Sequence, residues 1–247
     1  MIRPLQRFLL SAACVLLPAA AAQAFPKPGL TPRSWQLVFE HSAPRRIVVT
    51  PKGSDRPQAY WYITYTVSNP GPEAQAFRPI FEMVGEDGLV VRSDGKRYER
   101  VDGEVREVKR TITINGKKHE IVEMIPPVVL ETIRIRERNP SLQSTIEIVG
   151  ALRSGADEAK DGVAIWPEPS PRMGQFSIFV TGLSGENVTM KQVGGEYVEM
   201  KKDEIPGKDD KIVILRRTYQ MRYQQLGDDR YPGDDRVERL GEEWIYR

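Results

Sequence analysis

The chain has 247 residues, of which 36 are basic and 34 acidic, and it contains a single cysteine. This near-neutral balance of mixed signs provides no general attraction to phosphate backbones or anionic lipid, so the composition argues against nucleic-acid binding. Charged residues at 28% and 19 prolines spread along the chain favour a loop-rich, β-dominated protein.

The first 24 residues predict a cleavable secretory signal peptide. Two arginines precede an apolar run over residues 8–17, and Ala22-Gln23-Ala24 forms a small-x-small cleavage site that leaves Phe25 as the new N-terminus. The run is far shorter than the ~20 residues that span a bilayer. We therefore expect an exported protein, periplasmic or extracellular, with no membrane span after cleavage.

Cleavage changes the composition of what remains. Cys14 and both arginines leave with the signal peptide, so the mature chain has 223 residues with 34 basic and 34 acidic side chains. Without cysteine it has no disulfide, no thiolate nucleophile and no Cys-ligated metal. Two alternatives stay open. One is that the segment is retained as a membrane anchor. The other is lipidation of Cys14, although Ser11 occupies a position where lipidation sites prefer a branched apolar residue.

Alternating apolar residues predict strands over residues 35–39, 46–50, 58–69 and 75–84. The strand at 58–69 is the longest of these and is rich in aromatic and β-branched residues. Its alternation places Trp61, Ile63, Tyr65 and Val67 on one face and Tyr60, Tyr62, Thr64 and Thr66 on the other. Asn69-Pro70-Gly71-Pro72 then turns the chain, because prolines cannot continue a ladder of hydrogen bonds.

The middle third contains the turn signals Asp94-Gly95, Asp102-Gly103 and Asn115-Gly116, which predict a hairpin insertion over residues 94–124. One helix is predicted over residues 128–138, between a Pro-Pro pair and Asn139-Pro140.

Strand patterns resume after the helix, over residues 144–149, 162–166, 175–180, 197–200, 211–223 and 237–246. We expect a β-sandwich over residues 25–190 and a C-terminal β extension over 191–247. The extension either lengthens one sheet or builds a second lobe.

The middle of the chain also resembles a known group of proteins. The resemblance rests on the aromatic strand ending in Asn-Pro-Gly, on Phe77, Phe81 and Asp87-Gly88, and on the later GADEAKDGVAIWP segment, and it covers roughly residues 35–185. The group consists of uncharacterised exported bacterial proteins with an immunoglobulin-like domain of unknown function, and the chain's ending, EWIYR, is similar to theirs. The resemblance implies an all-β, immunoglobulin-like antiparallel β-sandwich in which the segment before Gly162 is a connection.

Catalytic motifs are weak in this chain. Its two histidines, His41 and His119, occupy separate contexts without a His-Glu-x-x-His spacing, and His119 adjoins a hairpin turn where a solvated side chain is expected. The sequence around Ser184 departs from Gly-x-Ser-x-Gly, because Glu186 occupies the last glycine position. We predict no catalytic residue and no cofactor.

The segment GDDRYPGDDR over residues 227–236 supplies a weak calcium candidate. Its four carboxylates, Asp228, Asp229, Asp234 and Asp235, have the oxygen chemistry that calcium prefers, but their spacing matches no EF-hand loop. A solvated loop in which arginines pair with the aspartates is the alternative.

We therefore expect an exported, non-catalytic β-sandwich protein of the bacterial envelope or extracellular space. Its role would be protein interaction or structural, with an unknown protein or glycan partner in the envelope. One alternative is a carbohydrate-binding module that stacks sugar rings on the strand tyrosines Tyr60, Tyr62, Tyr219 and Tyr223, although a packed strand face requires the same spacing. A carboxylate-type hydrolase is the other alternative, since paired carboxylates are recognised by their separation in space.

Overall fold

The computed structural model describes residues 26–101, 104–114, 116–121, 124–168, 174–201, 203–226 and 236–247. The predicted signal peptide, with Ala22, Ala24 and Phe25, lies outside the described residues. The first half of the chain forms β1 (Val38–His41), β2 (Arg45–Val49), β3 (Gln58–Asn69), β4 (Gln75–Phe77), β5 (Ile80–Gly85), β6 (Val90–Arg92), β7 (Arg97–Val101), β8 (Glu104–Val108), β9 (Arg110–Ile114) and β10 (Lys117–Ile121). The second half forms α1 (Pro127–Arg136), β11 (Gln143–Ser144), β12 (Gly150–Leu152), β13 (Gly155–Pro167), β14 (Gln175–Thr181), β15 (Asn187–Val193), β16 (Glu196–Glu199), β17 (Ile212–Gln225) and β18 (Val237–Tyr246).

Two mainly antiparallel sheets form the body of the protein, which confirms the all-β prediction. In the five-stranded sheet, β3 pairs with β13 along one edge and with β1 and β2 along the other, while β11 adds a short parallel pairing to β13. In the nine-stranded sheet, β14 lies between β5 and β17, β6 to β8 continue beyond β5, and β18 pairs with β17. We call these the small sheet and the large sheet.

The main core lies between the two sheets. The face of β3 predicted to carry Trp61, Ile63, Tyr65 and Val67 is buried, and it belongs to one cluster with Phe81, Met83, Phe176, Ile178 and Val180 of the large sheet. Aromatic rings meet across the layers, with centroids 4.8 Å apart for Tyr65 and Phe81 and 5.8 Å apart for Trp61 and Phe176. These separations suit tilted aromatic packing, so the layers interlock through rings as well as aliphatic groups.

A second core covers the outer face of the small sheet. There Tyr60 and Tyr62 of β3 and two residues of β13 pack with Val129, Leu130 and Ile133 of α1. The helix is two residues shorter than the prediction at its C-terminal end, because Arg138 adopts a left-handed backbone with φ 53°. The helix explains why β3 is apolar on both faces over its first half.

Three sequence predictions need correction. The strand predicted over 75–84 is two strands, since Pro79 cannot donate to a ladder; β4 pairs with β12 and β5 enters the large sheet. Residues 145–148 form a turn closed by a hydrogen bond from the Ile148 amide to the Ser144 carbonyl, and only Gln143–Ser144 is a strand. The segment before Gly162 is not a connection, because β13 begins at Gly155.

The C-terminal strands belong to the main body. β17 pairs with β14 through residues 219–224 and with β15 through residues 212–216, and its Met221 and Tyr223 are part of the main core. No strand is predicted at β15. It spans residue 190, the predicted boundary between the β-sandwich and the C-terminal extension. Residues 191–247 therefore lengthen the large sheet.

One glycine in the small sheet is required by close packing. Tyr65 and Gly162 are opposite one another in the β3–β13 ladder, and the Tyr65 ring lies over the glycine. A Cβ at position 162 would overlap the Cζ and hydroxyl atoms of that ring. The tyrosine fills the space that a side chain on β13 would otherwise occupy.

Replacing Gly162 with alanine is expected to lower the free energy of unfolding by about 1–3 kcal/mol, because the added methyl forces the buried Tyr65 ring out of place. Urea denaturation of wild type and Gly162→Ala measures the difference. Gly29→Ala is the matched control, since its nearest contact would be an ordinary 3.6 Å to the Thr31 carbonyl. Equal midpoints for the two variants would contradict the packing argument.

Candidate functional site

The most buried charges of the described residues form an ion pair between β17 and the turn before β15. Arg217 Nη1 and Glu186 Oε2 are 2.9 Å apart, and each side chain is only 2% exposed. The Tyr246 hydroxyl donates to Glu186 Oε1, and the Arg33 backbone amide donates to Oε2 at 3.0 Å. The guanidinium lies 5.0 Å from the centroid of the Trp244 ring. This cluster joins the N-terminal segment, the turn before β15, β17 and β18.

The turn that delivers Glu186 is built by Gly182 and Ser184. Gly182 has φ +86°, and a Cβ there would lie 2.6 Å from the Arg78 carbonyl oxygen, so only glycine fits. The Ser184 hydroxyl donates to the Trp35 carbonyl at 3.0 Å and accepts from the Glu186 amide at 3.1 Å. Ser184 is therefore a turn residue. This agrees with the departure of its surrounding sequence from the Gly-x-Ser-x-Gly pattern of nucleophile elbows.

Burial and hydrogen bonding act on Glu186 in opposite directions. Burial alone would raise the pKa of its carboxyl group, but the Tyr246 hydroxyl, the Arg33 amide and the Arg217 guanidinium together lower the pKa below its ordinary value. Burial and the neighbouring carboxylate raise the pKa of Tyr246 to about 12. Glu186 is therefore ionised and Tyr246 neutral at neutral pH, which suits a structural clamp.

The alternation of residues in β17 contains a signal for this cluster. In the strand predicted over 211–223, Leu215, Arg217, Met221 and Tyr223 fall on the same alternating face, and the structure buries all four. An arginine on an otherwise apolar strand face requires a buried partner. The alternation thus indicates a buried cation, but it does not identify Glu186.

His41 is fixed on both sides of its ring. Its Nε2 lies 3.1 Å from Glu242 Oε1, its Nδ1 lies 3.0 Å from the Ser42 carbonyl oxygen, and the side chain is 9% exposed. Glu242 also accepts a hydrogen bond from the Tyr219 hydroxyl at 2.9 Å. His119 lies on β10, which pairs only with β9 among the described strands, whereas His41 lies at the end of β1 in the small sheet.

A polar cavity of about 330 Å³ lies beside the C-terminal end of α1 and includes Glu137 and Asp161 in its lining. Glu137 accepts hydrogen bonds from Arg45 at 2.6 Å and 2.7 Å and from Tyr62 at 2.6 Å. Asp161 accepts from Thr66 at 2.7 Å and from Asn139 at 2.9 Å. Both carboxylates are thus held by neighbours that stabilise the fold.

The strand tyrosines are core or rim residues. Tyr60, Tyr62 and Tyr223 are at most 3% exposed. Tyr219 is half-buried, packs against Trp244 with centroids 5.1 Å apart, and has its hydroxyl bound to Glu242. Stacking on a sugar requires an open ring face, and the three buried tyrosines offer none.

Unlike the buried tyrosines, five apolar side chains near the outer strands of the large sheet are exposed, and they lie around an ion pair. We call this surface the apolar strip; its members are Val193, Val198, Ile205, Ile212 and Ile214. In the ladder, Lys191 of β15 is opposite both Val198 of β16 and Ile212 of β17, which places their side chains on one face. Lys191 Nζ binds the Glu204 carboxylate, and Ile205 follows Glu204 in the loop beside that face.

The weak calcium candidate, Asp228, Asp229, Asp234 and Asp235, lies outside the described residues. Within the residues described, no group of three or more His, Cys, Asp or Glu side chains could hold a metal ion. Nor does any helix in that part of the chain have the length and apolar character to cross a bilayer.

No protein family, curated protein or solved structure matches this chain.

Glu186→Gln is expected to lower the free energy of unfolding by about 3–5 kcal/mol at neutral pH, because it leaves Arg217 buried without a counter-charge. Since folding lowers the pKa of Glu186, its ionised form stabilises the protein above the ordinary carboxyl pKa of about 4.3. That contribution is lost as the pH falls through the folded-state pKa. The difference in unfolding free energy between the variant and the wild type therefore becomes smaller in acid. Urea denaturation across the pH range from neutral to acid measures it.

Two further variants make this test specific. Glu199→Gln removes the exposed carboxylate that binds Arg33 and should change stability little at any pH. Tyr246→Phe keeps the ion pair and removes one hydrogen bond to a charged group, at a cost of about 1.5–3 kcal/mol. A Glu186→Gln deficit that is the same at every pH would show that the carboxylate charge is not the stabilising feature.

Proposed function

We propose that this protein is an exported, non-catalytic, immunoglobulin-like β-sandwich of the bacterial envelope or extracellular space that binds another protein through the apolar strip. The single observation that carries the proposal is the strip itself. Ile205 is 89% exposed and Ile214 is 61% exposed. Ile214 shares one sheet face with three further exposed aliphatic side chains, and Ile205 follows the glutamate that binds Lys191 on that face. Contiguous exposed apolar surface of this kind marks interaction sites.

The arrangement of the strip supports a binding role over a structural one. The opposite face of the same strands is already packed, with Val188, Met190 and Leu215 buried beneath it. The fold therefore does not need the exposed side chains for its core. Their exposure carries a solvation cost that contact with a partner would remove.

Charges around the strip favour a neutral, apolar partner surface. The central Lys191 is neutralised by Glu204, and the mature chain has equal numbers of acidic and basic residues. Neither the paired lysine nor the balanced total charge gives an anionic lipid or nucleic acid a general electrostatic attraction. The apolar face of another folded protein matches the strip's chemistry best.

The chemical groups elsewhere support the non-catalytic part of the proposal. His41, Glu137 and Asp161 are each held by two or more hydrogen-bonding or ionic neighbours. A general acid or base must exchange protons with a substrate at a free atom. These side chains instead tie segments of the fold together.

Export predicts the mass of the native protein. Intact-mass analysis of protein purified from the envelope and medium of its host should give a chain that begins at Phe25 and carries no lipid, because cleavage follows Ala24. A mass that includes Met1, or a lipid-modified Cys14, would contradict this expectation.

The strip predicts site-specific contact with a partner protein. A photocrosslinking amino acid placed at Ile214 should form a product in the native host, whereas the same group at Ile135, which is 77% exposed on α1, should not. Mass spectrometry identifies the crosslinked protein, which is then purified for binding measurements. Ile214→Glu should weaken its affinity by about tenfold or more, because it places a charge in an apolar contact.

Ile135→Glu is the matched control and should leave both affinity and thermal stability unchanged. Ile214→Glu should also leave stability unchanged, since its side chain is exposed. Equal crosslinking at positions 135 and 214, or unchanged affinity of Ile214→Glu, would contradict binding through the strip. If the crosslinked product contained only a second copy of this chain, the strip would mediate self-association and not binding to a different protein.

A further inference from the structure

We propose that the cavity between α1 and the small sheet is a binding site for a neutral, mainly apolar small molecule that carries one hydrogen-bond acceptor, such as the ester of an acyl chain. The cavity has a volume of about 340 Å³ and is separate from the apolar strip. This volume falls within the range of about 300–1,000 Å³ that is usual for small-molecule sites. The inference does not depend on the proposed protein partner.

The walls of the cavity come from three elements of the fold. Val163 and Ile165 of β13 form the sheet side, Leu130 and the two prolines at the start of α1 form the helix side, and Ile146 of the turn after β11 stands at the exposed edge. Most of these side chains are aliphatic, so the walls favour an apolar ligand.

A pair of buried hydroxyl groups supplies the polar feature. Ser93 and Thr145 both line the cavity and are 8% and 7% exposed. Their oxygens are 3.1 Å apart, and this is the only side-chain hydrogen bond of either residue within the described part of the chain. The pair has two hydroxyl hydrogens and uses one between them, so one buried donor remains for an acceptor on a ligand.

The turn that carries Thr145 is held in place independently of any ligand. The Ser144 amide donates to Glu147 at 2.8 Å, and the Glu147 amide donates to the Ser144 hydroxyl at 3.2 Å. This reciprocal arrangement is the capping-box geometry. The donor is therefore positioned before a ligand binds, which reduces the entropic cost of binding.

Charge decides between neutral and anionic ligands. Among the described residues, the cavity lining contains Asp94 and Glu147 but neither lysine nor arginine. Asp94 pairs with Arg92 at 3.1 Å and Glu147 with Arg134 at 3.4 Å, so both acidic groups already have counter-charges outside the lining. A ligand carboxylate would enter without a cation to compensate its desolvation, whereas a neutral ester carbonyl needs only the hydroxyl donor.

The test uses three probes of equal chain length and different head groups: methyl octanoate, octanoate and octane. They are titrated into the mature protein with ¹³C-labelled isoleucine methyl groups, and the signals of Ile125, Ile146 and Ile165 report on the cavity. Methyl octanoate should produce saturable shifts. Octane should bind about fivefold more weakly through loss of one hydrogen bond, and octanoate more than about tenfold more weakly through burial of its charge.

Variants separate the hydroxyl contact from general apolar binding. The double variant Ser93→Ala/Thr145→Val should weaken methyl octanoate binding about fivefold and leave octane binding unchanged, because only the ester uses the hydroxyl donor. Each single variant keeps one hydroxyl hydrogen free for the ligand and should bind the ester as the wild type does. Ile146→Trp should block all binding by filling the exposed edge of the cavity. Ile135→Trp adds the same bulk to an exposed helix position outside the lining and should bind normally.

Saturable ester shifts that are lost in Ile146→Trp and reduced in the double variant Ser93→Ala/Thr145→Val would support the site. The absence of saturable shifts with all three probes would overturn it. An ester affinity that is equal to the octane affinity in wild type, or that is unchanged in the double variant, would overturn the role of the hydroxyl pair. Shifts produced by a crosslinked partner protein and by none of the probes would assign the cavity to protein contact instead.

Discussion

The strand β3 is the constraint on which the rest of the structure depends. It has neighbouring strands along both edges, and its first half is covered on both faces, by the large sheet on one side and by α1 on the other. A strand in that position must be apolar on both faces, which its aromatic composition satisfies. Because the two cores share this strand, a change that displaces it disturbs both layers.

The ion pair between Glu186 and Arg217 holds β17 to the turn before β15 and is bound by the segment at Arg33 and by β18. Its partners come from the N-terminal segment and from β18, regions far apart in sequence. A buried pair of charges adds less net stability than apolar packing would, but removing one partner is costly. The cluster therefore fixes Arg33 and Tyr246 in place relative to β17.

The two surfaces proposed to bind ligands differ in how the fold produces them. The apolar strip is the outer face of strands whose inner face is already packed, so it remains on the surface. The cavity lies beside the N-terminal end of α1, where the helix, Val163 and Ile165 of the small sheet, and the turn after β11 form its walls. Both features depend on the way the layers cover one another, and neither contains a recognisable motif.

The amino-acid sequence by itself determined the local features of this protein. Alternation assigned the faces of β3, the Asn115-Gly116 pair located the β9–β10 hairpin, and the apolar run before Asn139-Pro140 located the helix. Only the tertiary structure decided that β17 joins β14 to β15, that Arg217 meets Glu186, and that Ser93 meets Thr145. The physical reason is range: side-chain period and turn chemistry act over a few residues, whereas strand pairing and buried partners follow from how distant segments share one core.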